Sequence, residues 1–411
     1  MSIRTSLSLE PYCATHVLTN VLCRTRSGIR EEPAGPIADA IEIVRGFLEN
    51  LKVTLKPCLH NMGYTDPDLG TVTLDPLRYC DPRTMRFLKG LSCCAPQAPS
   101  DNFPIFRLYT SDDDVTGNGT LLDWRNATEA GKLGSGDIVY LIHGWSEGYK
   151  TSLWLQKGVE SWTRARHRNV IVVDWTGDEG NKYYFQTTVN VRTVGMAVGF
   201  SILKWGLVDR VTVVGNSCGA QVVGEAGQYV KDRNGLIAEC VGLDPAGPGF
   251  DGGSERIRLT PDDCRLVQVV HSSAELSPTS IGVFDRKFGT FYKSGQCDFW
   301  VNCGKDQGAN CTDPKFNKVM GPDGAVTVNT NENDFCAHHR AALVYVAQVN
   351  QTCTLKGERC LDCHESKDRP PDQCASSRAW GERTMPPDSR CQVYENTNFN
   401  VKTTDHYPYC Q

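Results

Sequence analysis

Six short runs of branched and apolar residues recur between positions 105 and 270: Ile105 to Tyr109, Ile138 to Ile142, Val170 to Val173, Val211 to Val214, Cys240 to Leu243 and Leu266 to Val270. Most are apolar without alternation, the pattern of strands covered on both faces. Stretches with apolar residues three and four apart, Thr193 to Leu207 and Ala220 to Val230, fall between them and predict helices. Strands alternating with helices define an α/β class with a largely parallel central sheet flanked by helices. Further upstream, Ile37, Ile41, Val44, Leu48 and Leu51 follow Pro36 at helical spacing and predict an amphipathic helix with proline in its first turn. Residues 56 to 103 are rich in Pro, Asp and Cys, with a Cys93-Cys94 pair, and read as a disulfide-tied loop region. The expected organisation is an extension over 1–102, without an assignable function, and a folded domain over 103–411. No internal repeat or long low-complexity segment interrupts it.

The remaining composition narrows the partners. A formal charge of −5 with scattered Lys and Arg leaves no basic footprint, so nucleic acid is not an expected partner. No apolar run approaches the roughly 18 to 20 residues needed to span a bilayer. Nineteen cysteines, concentrated in 58–94, 297–336 and 353–410, predict disulfides and therefore an oxidising, extracellular setting. The sequons at Asn118, Asn126, Asn310 and Asn350 predict a glycoprotein. Against this, residues 1–30 contain no signal-peptide core, because Arg4, Glu10, His16, Arg24 and Arg26 interrupt every candidate.

The chemistry centres on Gly215-Asn216-Ser217-Cys218-Gly219, between the run ending at Val214 and a helical stretch. Strand, sharp turn and helix make a nucleophile elbow, with glycines where a Cβ would collide with neighbouring backbone. A serine hydroxyl is a weak nucleophile at neutral pH. It needs an imidazole to accept its proton and a carboxylate to hold that imidazole in the right tautomer. Asp244 follows the strand Cys240 to Leu243 and precedes Pro245-Ala246-Gly247-Pro248-Gly249, at the strand end where open α/β sheets carry their ligands. The histidine candidates further on are His271, His338 and His339, giving the chain order Ser, Asp, His. Ser217, Asp244 and His338 supply the three roles. Backbone N–H groups of Cys218 and Trp145, the latter in His143-Gly144-Trp145, fit an oxyanion hole.

Taken in order, Arg107-Leu108-Tyr109-Thr110, His143-Gly144-Trp145, Val172-Val173-Asp174-Trp175, Asn190 to Gly195, the elbow, Leu243 to Pro248, Arg258 to Asp263, Val269-Val270-His271, Asp298 to Asn302 and Cys336-Ala337-His338-His339-Arg340 resemble the pancreatic lipase family of neutral lipases and phospholipases A1. The resemblance runs from about 103 to 410. It implies an α/β-hydrolase fold for 103–411 and a serine esterase acting on lipid esters at an oil–water or membrane interface, triacylglycerol before phospholipid, without a cofactor. A phospholipase A1 and a non-enzymatic lipid-binding or yolk-type relative are the alternatives. The family's Cys-x-His-x-Arg falls with its base on His338, leaving His339 as a surface or packing neighbour.

Departures and loops complete the expectation. The family has His, Leu and His where this chain has Asn216, Cys218 and Gln221, which puts the packing under the elbow at issue. The odd cysteine count assigns Cys218 as unpaired. In the family a loop matching Glu255 to Asp263 holds calcium. Thr260 stands where a second carboxylate would be, and no metal is assigned. The Cys360-x-x-Cys363-His364 pattern is read as chance among many cysteines rather than haem attachment. The resemblance pairs Cys311 with Cys336 across a lid of 24 residues, and a second loop of 26 residues lies between His271 and Asp298. Both are long, whereas phospholipases A1 of the family tend to have shortened versions, so the resemblance favours triacylglycerol or a related neutral lipid. A lid would cover a dry cleft, with Phe316, Val319, Met320, Val326, Val328 and Phe335 facing inward. The chain ends too soon for the β-sandwich domain of many vertebrate members, as in arthropod members.

Overall fold

A computed structural model describes residues 63–73, 96–100, 103–111, 113, 117–177, 184–251, 255–274, 288–290, 292–304, 307, 318–320, 326–328, 334–352, 354–360, 382–384, 386 and 397–404. Its strands are β1 (Gly63–Asp66), β2 (Gly70–Thr73), β3 (Ile105–Tyr109), β4 (Thr120–Leu122), β5 (Ile138–Ile142), β6 (Asn169–Asp174), β7 (Val211–Asn216), β8 (Glu239–Leu243), β9 (Leu266–His271), β10 (Cys297–Val301), β11 (Lys318–Met320), β12 (Val326–Val328), β13 (Lys356–Cys360), β14 (Glu382–Thr384) and β15 (Thr397–Val401). The helices are α1 (Leu153–Glu160), α2 (Tyr184–Lys204), α3 (Cys218–Lys231) and α4 (Asp334–Val349).

Eleven strands form one sheet in the order β14-β13-β15-β10-β9-β8-β7-β5-β6-β3-β4. From β15 to β6 every neighbouring pair is parallel, and the pairs involving β13, β14, β3 and β4 at the two ends are antiparallel. Alternation across the pleat explains the unbroken apolar runs. In β5, Ile138, Tyr140 and Ile142 join the core on the side of α2 and α3, with Val198, Ile202, Val222 and Ala226. Val139 and Leu141 join the opposite core with Trp154, Val159, Val344 and Val346 of α1 and α4. Both faces are dry, so both sets of alternating positions must be apolar. This is the largely parallel α/β sheet that the pattern predicts, in the α/β-hydrolase arrangement that the resemblance implies.

The six predicted strands are all present, and the two predicted helices are α2 and α3. The helix expected after Pro36 lies outside the described residues. The chain before 103 nevertheless contributes to the core. Leu69 and Val72 of the β1–β2 hairpin are buried in the same cluster as Trp124 and Tyr229. Arg125 spans Asp66 and Asp68, its Nη2 2.7 Å and Nε 3.0 Å from their carboxylates. Cysteine pairing also reaches the centre of the sheet, since Cys240 in β8 is bonded to Cys264, just before β9.

The parallel strands end at one edge. There β5 feeds the His143-Gly144-Trp145 turn, β7 feeds Ser217, β8 feeds Asp244, and β9 feeds Ser272 and Ser273. Registers of Ile142 with Gly215, Gly215 with Gly242 and Leu243 with Val270 keep these ends level, which concentrates the chemistry in one place.

Candidate active site

Ser217 sits between β7 and α3 with φ 58° and ψ −123°, a backbone state that non-glycine residues rarely occupy. The flanking glycines make this possible. A Cβ on Gly215 would lie 2.1 Å from the Gly219 carbonyl oxygen, and one on Gly219 would lie 2.3 Å from that of Ile142. The turn is pinned from outside as well: Ser217 N–H donates to Leu243 O at 2.9 Å, and Ala246 N–H donates to Ser217 O at 3.1 Å. Asn216 and Gln221, the two polar departures from the family pattern, take part in this scaffold. Asn216 Nδ2 donates to Leu243 O at 2.9 Å. Gln221 Nε2 donates to Ala246 O at 2.7 Å, and its Oε1 accepts the Leu259 N–H at 2.8 Å. Both side chains are buried, Gln221 bonded through both of its amide atoms and Asn216 through Nδ2, with its Oδ1 left without a hydrogen-bond partner among the described residues.

Asp244, also at positive φ (43°), is fully buried at the end of β8. One oxygen accepts N–H groups from Ser272 at 2.7 Å and Ser273 at 3.1 Å. The other accepts the Ser273 hydroxyl at 2.5 Å and faces His338 Nδ1 at 2.6 Å. Burial by itself raises its pKa, but the hydrogen bond and charge of His338, with the donors from Ser272 and Ser273, outweigh burial and hold it below the usual carboxylate range. An ionised carboxylate only accepts, so His338 carries its proton on Nδ1 and presents Nε2 as acceptor. That Nε2 is 2.7 Å from Ser217 Oγ. The structure thus brings the three predicted side chains into one continuous hydrogen-bonded chain. His271, the competing candidate, is elsewhere: its Nε2 is 2.8 Å from Asp298 and its ring stacks on Trp300 at 3.6 Å.

Ser273 was not legible as a site residue. Its hydroxyl touches the same Asp244 oxygen as the imidazole, lies 3.3 Å from His338 Nδ1, and accepts the Gly289 N–H at 3.1 Å. Only its position two residues past the strand, beside a buried acid, could have drawn notice. Ser272 serves the helix, donating its hydroxyl to Ala337 O at 2.7 Å and accepting Ala341 N–H at 3.0 Å. It thereby anchors the turn of α4 that carries the imidazole.

Trp145 is buried, edge-on to Tyr184 with centroids 5.2 Å apart, and lines the same cleft as Ser217, Tyr184, Phe288 and His338. Its turn abuts Ser217, for a Cβ on Gly144 would lie 2.8 Å from Ser217 Cβ. His143 braces the turn from beneath, accepting the Trp175 N–H on Nε2 at 3.0 Å and stacking on that indole. Cys218 follows the serine at the N-terminus of α3, free and buried. Burial dominates over its hydrogen-bonding neighbours, Tyr184, Ser217 and the Trp145 backbone, and pushes its thiol up to about 12. It stays a neutral thiol at physiological pH.

His339 is not a surface residue. It is buried and lines the cleft beside Glu147. Cys336, two residues before His338, is disulfide-bonded, while its expected partner Cys311 lies outside the described residues. So do the haem-like pattern past Cys360 and most of the lid, of which the antiparallel β11–β12 pair is described. At the loop matched to a calcium site, Asp263 accepts the Thr260 N–H at 2.7 Å, and burial lifts its carboxyl to about 8. Among the described residues no three His, Cys, Asp or Glu side chains gather as metal ligands. One carboxylate already taken by a backbone donor, with Thr260 in place of a second, does not fit a hard dication.

The Lipase family model matches residues 93–403, and the chain belongs to that family. Its relatives include pancreatic lipase-related protein 2 of Cavia porcellus, 33% identical over 201 residues, 45% of this chain and 44% of that protein. Pancreatic triacylglycerol lipases of Sus scrofa and Homo sapiens are 30% and 28% identical over 259 residues, 62% of this chain and 55% and 53% of theirs. The chain thus spans about half the length of these relatives. Among solved structures, a hyperthermophilic esterase from the archaeon Pyrobaculum calidifontis is 13% identical with a TM-score of 0.25, covering 62% of this chain and 78% of that one. That likeness is too slight to add to the fold described above.

Proposed function

We propose that this chain is an extracellular serine lipase that hydrolyses carboxylic esters of lipids, with triacylglycerol as its preferred class. The observation that carries the reading is the unbroken proton path from Ser217 Oγ to His338 Nε2 at 2.7 Å and from His338 Nδ1 to Asp244 at 2.6 Å. Ser217 Oγ gives its proton to His338 and attacks the ester carbonyl carbon. The charge moving onto the carbonyl oxygen is held by the N–H groups of Trp145 and Cys218, each such donor being worth on the order of 10²- to 10³-fold in rate. Collapse expels the alcohol, which takes the proton from His338 Nε2. Water then attacks the acyl-serine by the same route and restores the free side chains. Asp244 keeps the ring aimed and stabilises the transient imidazolium.

Relatives described as pancreatic triacylglycerol lipases support the substrate class, as do the long lid and the long 271–298 loop. A cysteine pair inside the sheet and bonded Cys297, Cys303 and Cys336 support folding in an oxidising compartment. No helix among the described residues is long and apolar enough to cross a membrane.

Treating the protein with an organophosphonate and mapping the adduct tests the reaction. Comparing emulsified triolein, phosphatidylcholine vesicles and a short soluble ester tests the substrate. Modification at Ser217 with turnover of triolein is expected. Absence of a Ser217 adduct overturns the hydrolase reading, and turnover of phosphatidylcholine alone replaces triacylglycerol with phospholipid.

A further inference from the structure

A second carboxylate–imidazole contact lies in the same cleft as the first. Glu147, three residues past Gly144, is buried, and so is His339, the residue after the proposed base. His339 Nδ1 is 3.7 Å from Glu147 Oε1, and the two imidazoles of 338 and 339 meet edge to face with centroids 5.9 Å apart. Glu147 Oε1 also accepts the hydroxyl of Ser152, the residue that precedes α1, at 2.9 Å. Its other oxygen accepts the Gly144 N–H at 2.9 Å. Gly144 in turn is the residue that abuts Ser217.

A buried charge is costly unless paired and hydrogen-bonded, and a cleft built only to be dry and apolar has no use for one. Glu147 is instead fully engaged, and its partners belong to three pieces that must be held in register: the turn carrying Trp145, the start of α1, and the turn of α4 carrying His338. We propose that Glu147 and His339 are a positioning pair for the ester hydrolysis assigned above, locking the His143-Gly144-Trp145 turn against the nucleophile so that the Trp145 N–H meets the developing oxyanion. The inference rests on that assignment. The hydrogen bonds of Glu147 go to Gly144 and Ser152, not to Ser217, His338 or Asp244. Glu147 acts through Gly144, whose N–H it holds, while the His339 ring, buried 3.7 Å from Oε1, fills the space beside the carboxylate and limits its movement. His143, the other imidazole facing Glu147, accepts the Trp175 N–H on Nε2 and has Nδ1 2.8 Å from Gly144 O, so it reinforces the same turn.

The experiment measures turnover of p-nitrophenyl butyrate, the rate of Ser217 modification by an organophosphonate, and the fraction of titratable sites, in the wild type, Glu147→Leu, Glu147→Gln and His339→Leu. Losing the lock displaces an oxyanion donor, so Glu147→Leu is expected to lower kcat about 100-fold with KM changed less than about threefold, and phosphonylation should slow in parallel. Glu147→Gln, whose Oε1 can still accept the Gly144 N–H, should recover most of the rate. His339→Leu, which leaves the carboxylate in place, should fall between the two and keeps the test alive if Glu147→Leu does not fold. Wild-type kcat in Glu147→Leu or His339→Leu overturns the proposal. A loss that follows the fraction of folded sites, or a rise in KM at constant kcat, overturns it too, the first indicating a merely structural role and the second a substrate contact. A wild type that takes no phosphonate on Ser217 refutes the hydrolase assignment itself, and with it the pair's role.

Discussion

Replacing Gly144 with alanine puts a single methyl group at the point where the proposed oxyanion turn meets the nucleophile. The new Cβ would sit 2.8 Å from Ser217 Cβ, 3.1 Å from the Asn216 carbonyl oxygen and 3.3 Å from Glu147 Oε2. Ordinary van der Waals contact begins at 3.4 Å, so the first of these approaches is short by about 0.6 Å. The serine side cannot give way, because the Gly215 and Gly219 contacts and the Ser217–Leu243 and Ser217–Ala246 hydrogen bonds fix it. The turn must move instead, carrying Trp145 away from the place where the carbonyl oxygen becomes charged. Displacements approaching 1 Å cost on the order of 100-fold, and loss of one oxyanion donor costs about 10²- to 10³-fold. Gly144→Ala should therefore lower kcat on p-nitrophenyl butyrate by about 100-fold, with a similar drop in phosphonylation of Ser217 and little change in KM. Titrating active sites at each stage of purification separates this from loss of folded protein. Activity within threefold of wild type would show that Trp145 N–H is not an oxyanion donor, or that its turn is looser than the contacts indicate.

Other substitutions probe the rest of the site and its frame. His338→Ala should abolish turnover of any ester, read by initial rates against a Ser217→Ala control. Asp244→Asn should lower kcat by about 10⁴-fold, since an amide can hold the wrong tautomer. Because the Asp244 pKa is depressed in the folded state, its ionised form contributes stability above the ordinary carboxylate value near 3.8, and that contribution is lost as pH falls through the depressed value. The melting temperature of Asp244→Asn should accordingly lie below wild type at neutral pH, with the gap closing in acid. Ser273→Ala removes a hydroxyl bonded to a charged oxygen, worth about 1.5 to 3 kcal/mol, and should slow kcat by roughly tenfold or more while leaving KM in place. Leu69→Ala opens a cavity where the early hairpin meets the core and should cost about 2 to 4 kcal/mol in urea unfolding, with no effect on KM.

Much of this organisation was legible in the sequence for a simple reason: a parallel strand buried on both faces cannot hide its apolar run. Val211 to Val214 and Ile138 to Ile142 announced themselves, and Gly215 and Gly219 marked the turn because only glycine fits there. Ser217, Asp244 and His338 came from chain order together with the family's Cys-x-His-x-Arg pattern, which separated His338 from His339. What could not be read depends on contacts between distant segments. Leu69 and Val72 carry no periodic signal in a hairpin of two four-residue strands, and their burial follows from packing near Trp124. Cys240 reads as one more apolar residue of β8 until Cys264 is beside it. Ser273 and Glu147 are ordinary polar residues whose importance comes from the acid and the glycine they meet. Asn216 and Gln221 were departures from a pattern in one dimension and became the bonded struts of the elbow in three.

The left-handed backbone at 217 makes the reactive side chain a liability to the molecule that bears it. A residue with a Cβ is strained at that spot whereas glycine is not, so the scaffold forgoes about 1 to 3 kcal/mol, less the backbone entropy that glycine would cost, to keep an alcohol there. A Ser217→Gly protein should consequently melt higher than its parent while holding lipids it cannot cleave, which makes it a natural trap for learning what the cleft prefers to bind.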